Sequence, residues 1–294
     1  MRNHTTATSA RPRMTAPVTL TVYFEGTANT LRPITTQVGV FFERTAALDV
    51  TDPAVEPADD ETQLKMGFSG CGVTAGVPGT LFAFGLAPQC DEVVRRIERI
   101  VPGRPIAVNV LGLSRGGIAA LMLAQRLSRL APATLTLSLA LFDPVPGNLV
   151  ATARFLDLFA AAGVPGVLTT ATGVLDVSYA PISRVLALYP HEPLPAFALH
   201  APLLPRYPAS ASVEEDATLG CHQAALYPTY GVANYAIGAA CRLSAHRLER
   251  FLAECGTAMH ADAGAADLEA RCLRDCEAAI SAAPKPTCAP SCIS

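Results

Sequence analysis

The stretch that most restricts the fold is Val108-Asn109-Val110-Leu111-Gly112-Leu113-Ser114-Arg115-Gly116-Gly117-Ile118-Ala119-Ala120. The apolar run Pro105–Leu111, interrupted only by Asn109 and bounded by turn residues, leads into it. That run suits a strand buried on both faces, as in a parallel sheet. A helix rich in small residues, Ser114–Leu130, leads out. Between them stands G-x-S-x-G, formed by Gly112, Ser114 and Gly116. In this context the pattern reads as a nucleophile elbow, a turn so tight that its serine is held in a strained backbone conformation. Side chains at positions 112 and 116 would collide with the strand and the helix, so glycine is required there. The plainer alternative is an ordinary strand-to-helix turn with Ser114 as N-cap.

The rest of the chain supplies strands and helices in alternation, which implies an α/β fold with a mainly parallel sheet. Residues 18–24 alternate and are β-branched, and read as a strand ending in the turn Glu25-Gly26-Thr27. Val38–Phe42 reads as a second, weaker strand, Asp49–Thr62 as an acidic surface loop, and Met66–Thr80 as glycine-rich and irregular. Asp91–Val101 is an amphipathic helix, Thr134–Phe142 a strand and Ala151–Ala162 a helix. Arg184–Leu188 and Ala196–His200 read as strands, and Val213–Tyr230 as loop. Tyr235–Cys255 and Ala265–Ala282 read as helices. The expected organisation is a leader at 1–16, a catalytic domain at 17–258 and a cysteine-rich helical extension at 259–294.

A serine nucleophile needs a base, and the base needs an acid to orient it. In α/β-hydrolases these follow the serine in the order acid, then histidine. Asp143 closes the next strand, 143 − 114 = 29 residues on, at the carboxyl edge where open α/β sheets place their sites. His222 lies in a loop after the last strand, the position from which this fold delivers its base, and is preferred over His191. The backbone N–H of Arg115 follows the nucleophile and suits an oxyanion hole. Gly26 and Thr27, after the first strand, suit the second donor.

These blocks resemble a known family. Tyr23-Phe24-Glu25-Gly26-Thr27-Ala28-Asn29, Gly112-Leu113-Ser114-Arg115-Gly116-Gly117, Leu141-Phe142-Asp143-Pro144-Val145 and Gly220-Cys221-His222 are similar to the ordered motifs of the Tle-type catalytic domain of type VI secretion phospholipase effectors and related α/β hydrolases. The resemblance runs over roughly residues 18–255. It implies a triad of Ser114, Asp143 and His222, with Gly26 and Thr27 near the oxyanion hole, and an esterase of the lipase or phospholipase kind. Glu25 stands where the family has Asp, Asp143 is followed by Pro-Val rather than Thr-Val, and Leu219 replaces a proline.

Composition narrows the partners. Of 294 residues half are hydrophobic and 16% charged, so the chain can bury a large core. A net charge of −3 gives no basic footprint for nucleic acid and no polybasic patch for anionic lipid. The expected partner is a small-molecule or lipid ester, with at most transient contact with a membrane surface and no metal or organic cofactor. The N-terminal residues lack the apolar core of a secretory signal, and no apolar stretch meets the length of a membrane span. Location is therefore expected to be cytoplasmic, or outside the cell by a non-classical export route. Apolar residues around Phe68, Leu81, Phe82, Phe84 and Leu194–Leu204 read as core or as an acyl pocket. Of the nine cysteines, Cys272, Cys276, Cys288 and Cys292 form two spaced pairs that suit two disulfides, a zinc site or free thiols. Thioesterase or acyltransferase chemistry on the same triad, and a non-catalytic binding domain, are the competing readings.

Overall fold

A computed structural model of the chain describes residues 17–73, 85–100, 104–130, 134–145, 174–190, 204–218, 222 and 235–260. The strands are β1 (Val18–Phe24), β2 (Leu48–Asp49), β3 (Gln63–Phe68), β4 (Ile106–Leu113), β5 (Leu135–Phe142), β6 (Ile182–Pro190) and β7 (Ser212–Thr218). The helices are α1 (Gln37–Arg44), α2 (Leu86–Ile100), α3 (Arg115–Leu130) and α4 (Tyr235–Glu254). The strands form one seven-stranded sheet in the order β2-β3-β1-β4-β5-β6-β7. All its pairings are parallel.

Residue patterning explains the layers. In β4, Val108 and Val110 face one side and Leu111 and Leu113 turn to the other or end the strand, all buried. The first face packs Val108, Val110, Leu137, Leu139 and Leu141 against Val93 and Ile97 of α2 and Leu121, Leu123 and Leu127 of α3. The second packs Tyr23, Leu111, Leu113, Phe142 and Leu188 against Val38, Phe41 and Phe42 of α1 and Leu248, Phe251 and Leu252 of α4. Each such side chain removed from water contributes roughly 2 kcal/mol before ordering costs. The chain leaves β1 towards α1 on one face and leaves the adjacent β4 into α3 on the other. Their carboxyl ends therefore flank a topological switch point.

Three sequence expectations are corrected. Val38–Phe42 is not a strand but the core of helix α1: Val38, Phe41 and Phe42 recur at helical spacing and are buried, and the Thr36 side chain accepts a hydrogen bond from the Val38 amide as N-cap. Residues 66–68 are not irregular but close strand β3, where Lys65 is held by the carbonyls of Phe42 and Thr45 at 2.8 and 2.9 Å and Gly67 lies against Phe42. The start of the 213–230 loop is instead β7, an edge strand whose exposed Glu214, Glu215 and Asp216 obscured any alternation. The expected helices at 151–162 and 265–282, the strand at 196–200, the leader at 1–16 and Cys272, Cys276, Cys288 and Cys292 lie outside the described residues. After α4 the chain stays attached to the domain through residue 260, whose amide bonds the Arg44 carbonyl at 2.8 Å.

Candidate active site

Strand β4 ends at Leu113, helix α3 begins at Arg115, and Ser114 makes the whole turn with φ +56°. That is the left-handed region, which a side-chain-bearing residue enters only when its surroundings over-determine it. Two contacts supply the constraint. The Ser114 amide donates to the Phe142 carbonyl at 2.9 Å, and the Gly117 amide donates to the Ser114 carbonyl at 2.9 Å. The glycines at 112 and 116 are required by space. A Cβ on Gly112 would stand 2.4 Å from the Gly116 carbonyl oxygen, and one on Gly116 would stand 2.2 Å from that of Phe24. The turn is thus wedged against the end of β1, and Ser114, 7% exposed, sits at the carboxyl edge of the central strands.

Asp143 follows β5 directly and is also left-handed, at φ +41°. Its amide bonds the Leu188 carbonyl at 2.8 Å, which fixes the turn against β6. In the register of β4 with β5, Leu113 pairs with Phe142, so residues 114 and 143 leave adjacent strand ends. The Asp143 carboxylate receives Nδ1 of His222 at 2.5 Å, with both side chains largely buried. Asp143 also acts on its surroundings: the Tyr189 hydroxyl is pushed above its ordinary pKa first by burial, then by the negative charges of Glu215 and Asp143. His191 and His200 lie outside the described residues.

On the other side of Ser114, the loop after β1 carries Gly26 and Thr27. The Arg115 guanidinium donates from Nη1 to Oγ1 of Thr27 at 2.8 Å, tying the first residue of α3 to this loop. Glu25 is 1% exposed and lies beneath it. Burial raises its pKa to about 7, against the lowering effect of hydrogen bonds from the Thr36 hydroxyl and the amides of Gly26 and Gly39. The structure brings Asp143 and His222 together at the sheet edge that carries Ser114 and ties the Arg115 side chain to Thr27. The Gly26 amide, expected as an oxyanion donor, instead bonds Oε2 of Glu25 at 3.2 Å. The Glu25 carboxylate, Thr36 and the Arg115 side chain were not among the expected site groups. An acidic residue directly after the apolar run Val22-Tyr23-Phe24 that closes the strand was the available signal for Glu25. Among the described residues no group of histidine, cysteine, aspartate or glutamate side chains has the arrangement of a metal site. Nor is any helix there long and apolar enough to cross a membrane. Phe68, expected in a pocket or the core, stacks on Phe24 with centroids 5.3 Å apart, while Leu204 is exposed.

A parallel sheet, a serine turn at its switch point and an acid after the next strand decide the architecture. The fold is that of an α/β-hydrolase. Among solved structures, an uncharacterized protein from Pseudomonas aeruginosa matches over 92% of this chain with a TM-score of 0.50 and 14% identity. This chain spans 52% of that protein. The peroxisomal alpha-beta-hydrolase of Saccharomyces cerevisiae matches over 94% of this chain and 90% of its own, with a TM-score of 0.37 and 12% identity. The type II thioesterase of the borrelidin biosynthetic cluster matches over 85% of this chain and 94% of its own, with a TM-score of 0.38 and 14% identity. No family model matches the sequence, and no curated protein matches it.

Proposed function

We propose that the protein is a serine hydrolase that cleaves carboxylic esters, with Ser114 as nucleophile, His222 as general base and Asp143 as the orienting acid. The Asp143–His222 pair at the same sheet edge as the left-handed Ser114 carries this reading. With Nδ1–H donated to the carboxylate, the neutral imidazole keeps a lone pair on Nε2. That nitrogen takes the Ser114 proton as the hydroxyl attacks the ester carbonyl, and later returns it to the leaving alcohol. Asp143 stabilises the imidazolium formed in between. The developing oxyanion is met by the Arg115 amide, in the first turn of α3 where helix N–H groups lack intrahelical acceptors, and by the loop after β1.

Acyl esters of lipids or phospholipids are the substrate class, following the resemblance of the motif blocks to the Tle-type catalytic domain. The test is covalent labelling by a fluorophosphonate, followed by turnover of p-nitrophenyl esters of increasing acyl length. Labelling and turnover that vanish in Ser114→Ala support the hydrolase. Preference for acetate over long chains would remove the lipid substrate while leaving the esterase. Folded wild-type protein that neither labels nor turns over would favour a binding domain.

A further inference from the structure

The loop from Glu25 to Asn29 uses its backbone donors unevenly. The Glu25 amide bonds the Phe68 carbonyl at 3.0 Å, the Ala28 amide that of Cys71 at 3.0 Å, and the Asn29 amide that of Gly26 at 3.1 Å. The Gly26 amide, the obvious candidate for an oxyanion donor, is turned back onto Oε2 of Glu25 at 3.2 Å. Among the described residues only the Thr27 amide of this loop has no acceptor. Its direction is set by the peptide that carries it. The Gly26 carbonyl faces Gly70 so closely that a Cβ there would stand 1.7 Å from its oxygen. In a trans peptide the N–H points opposite to the C=O. The Thr27 N–H is therefore directed away from Gly70, while the Thr27 hydroxyl is held by Arg115.

The Glu25 side chain is the anchor of this arrangement. Oε1 receives the Thr36 hydroxyl at 2.7 Å, and Thr36 is also the N-cap of α1. Oε2 receives the Gly26 amide. One buried carboxyl thus joins the α1 N-terminus to the first peptide of the loop. Burial disfavours its charged form and raises its pKa to about 7, and the hydrogen bonds from Thr36, Gly26 and Gly39 offset this only in part. We propose that Glu25 is a positioning residue for the oxyanion hole: by holding the Gly26 amide and Thr36, it commits the loop to presenting the Thr27 N–H as the second oxyanion donor. This rests on the hydrolase reading above and extends it to a residue that does not touch substrate. The gain is preorganisation, since a donor already aimed at the oxyanion need not reorient during reaction.

The test compares wild type, Glu25→Ala, Glu25→Gln and Thr36→Val, each counted by fluorophosphonate titration of active sites. The readouts are kcat and KM for one p-nitrophenyl ester and the inhibition constant of phenylboronic acid, whose tetrahedral adduct places an oxygen in the hole. Glu25→Ala is expected to lower kcat per titrated site by about 10- to 100-fold, with KM changed less than about twofold and boronate inhibition weakened in step. Glutamine can accept from Gly26 and donate to Thr36, so Glu25→Gln is expected to recover most of kcat. Thr36→Val carries the same comparison if Glu25→Ala does not fold. A lower melting temperature with kcat per site and boronate affinity unchanged would reduce Glu25 to a structural role and overturn the proposal. Turnover that survives in Ser114→Ala would overturn the triad and this inference together. Loss of turnover in Ser114→Ala, with the Glu25 and Thr36 variants at wild-type rates, would overturn this inference alone.

Discussion

Nδ1 of His222 lies 2.5 Å from Oδ2 of Asp143, although 79 residues separate them in the chain. The bond selects the imidazole tautomer with Nε2 unprotonated, and it holds the ring in a mostly buried position where a free rotor would sample other orientations. Asp143→Asn keeps the shape but offers Nδ1 an amide that can stabilise the wrong tautomer. The expected result is a kcat lower by about 10²- to 10⁴-fold with little change in KM. Near-wild-type turnover of a well-folded Asp143→Asn protein would remove this carboxylate from the mechanism.

The turn at Ser114 is held by space as well as by hydrogen bonds. Adding one methyl group at Gly116 puts a carbon 2.2 Å from the Phe24 carbonyl oxygen and 2.8 Å from that of Glu25, both backbone atoms that cannot rotate away. Strand β1 and helix α3 must then separate. Gly116→Ala is expected to destabilise the protein by about 3 kcal/mol in denaturant unfolding and to abolish fluorophosphonate labelling. A variant with unchanged midpoint and labelling would show that the close approach of β1 and α3 is not required.

How far the sequence could be read follows from which physical signal each segment carries. Strand β4 and helix α3 were legible because a doubly buried strand is apolar throughout, and the glycines mark the turn between them. Asp143 was legible from its place at a strand end. Helix α1 was mistaken for a strand because valines and phenylalanines weigh towards β, although their i, i+3, i+4 spacing is helical. Strand β3 was hidden by Lys65 and Gly67, whose reasons lie in contacts with α1 that no local pattern reveals. The link from Arg115 to Thr27 spans 88 residues and was invisible for the same reason.

Asn109 is the one polar residue in the run that leads to Ser114, and its partners explain it. Its Nδ2 donates to the Cys255 carbonyl at 2.9 Å and to Oγ1 of Thr257 at 3.0 Å, and Thr257 shares a hydroxyl hydrogen bond with Thr21 at 2.9 Å. The cluster fastens the end of α4 to the centre of the sheet. Asn109→Ala removes the donor from the Cys255 carbonyl and leaves Oγ1 of Thr257 with Thr21 alone, and is expected to cost about 2 kcal/mol in urea unfolding. Five residue-to-residue steps, roughly 16 Å at about 3.3 Å each, separate it from Ser114, so kcat is expected to stay within about twofold of wild type. A large fall in kcat without loss of stability would show that the cluster acts on the site.

Glu25 makes stability depend on pH in a direction opposite to that of a salt-bridged carboxylate. Its pKa is about 7 in the folded chain against 4.5 for the free group, because burial disfavours the charged form. Between those values the folded state keeps a proton that the unfolded state has released. Folding stability from this group is therefore full below about pH 4.5, falls as pH rises, and levels off above about pH 7. A shift of this size corresponds to on the order of 3 kcal/mol across the window. Glu25→Gln cannot titrate, so subtracting its unfolding free energy from that of wild type isolates Glu25 from every other ionisable group. Wild type is expected to lose stability relative to Glu25→Gln between pH 5 and pH 8, with most of the change complete by about pH 7. A wild-type-minus-variant difference that stays flat with pH would mean that the carboxyl is solvated, and one that grows as pH rises would mean that its charged form is stabilised; either outcome contradicts the burial beneath the loop.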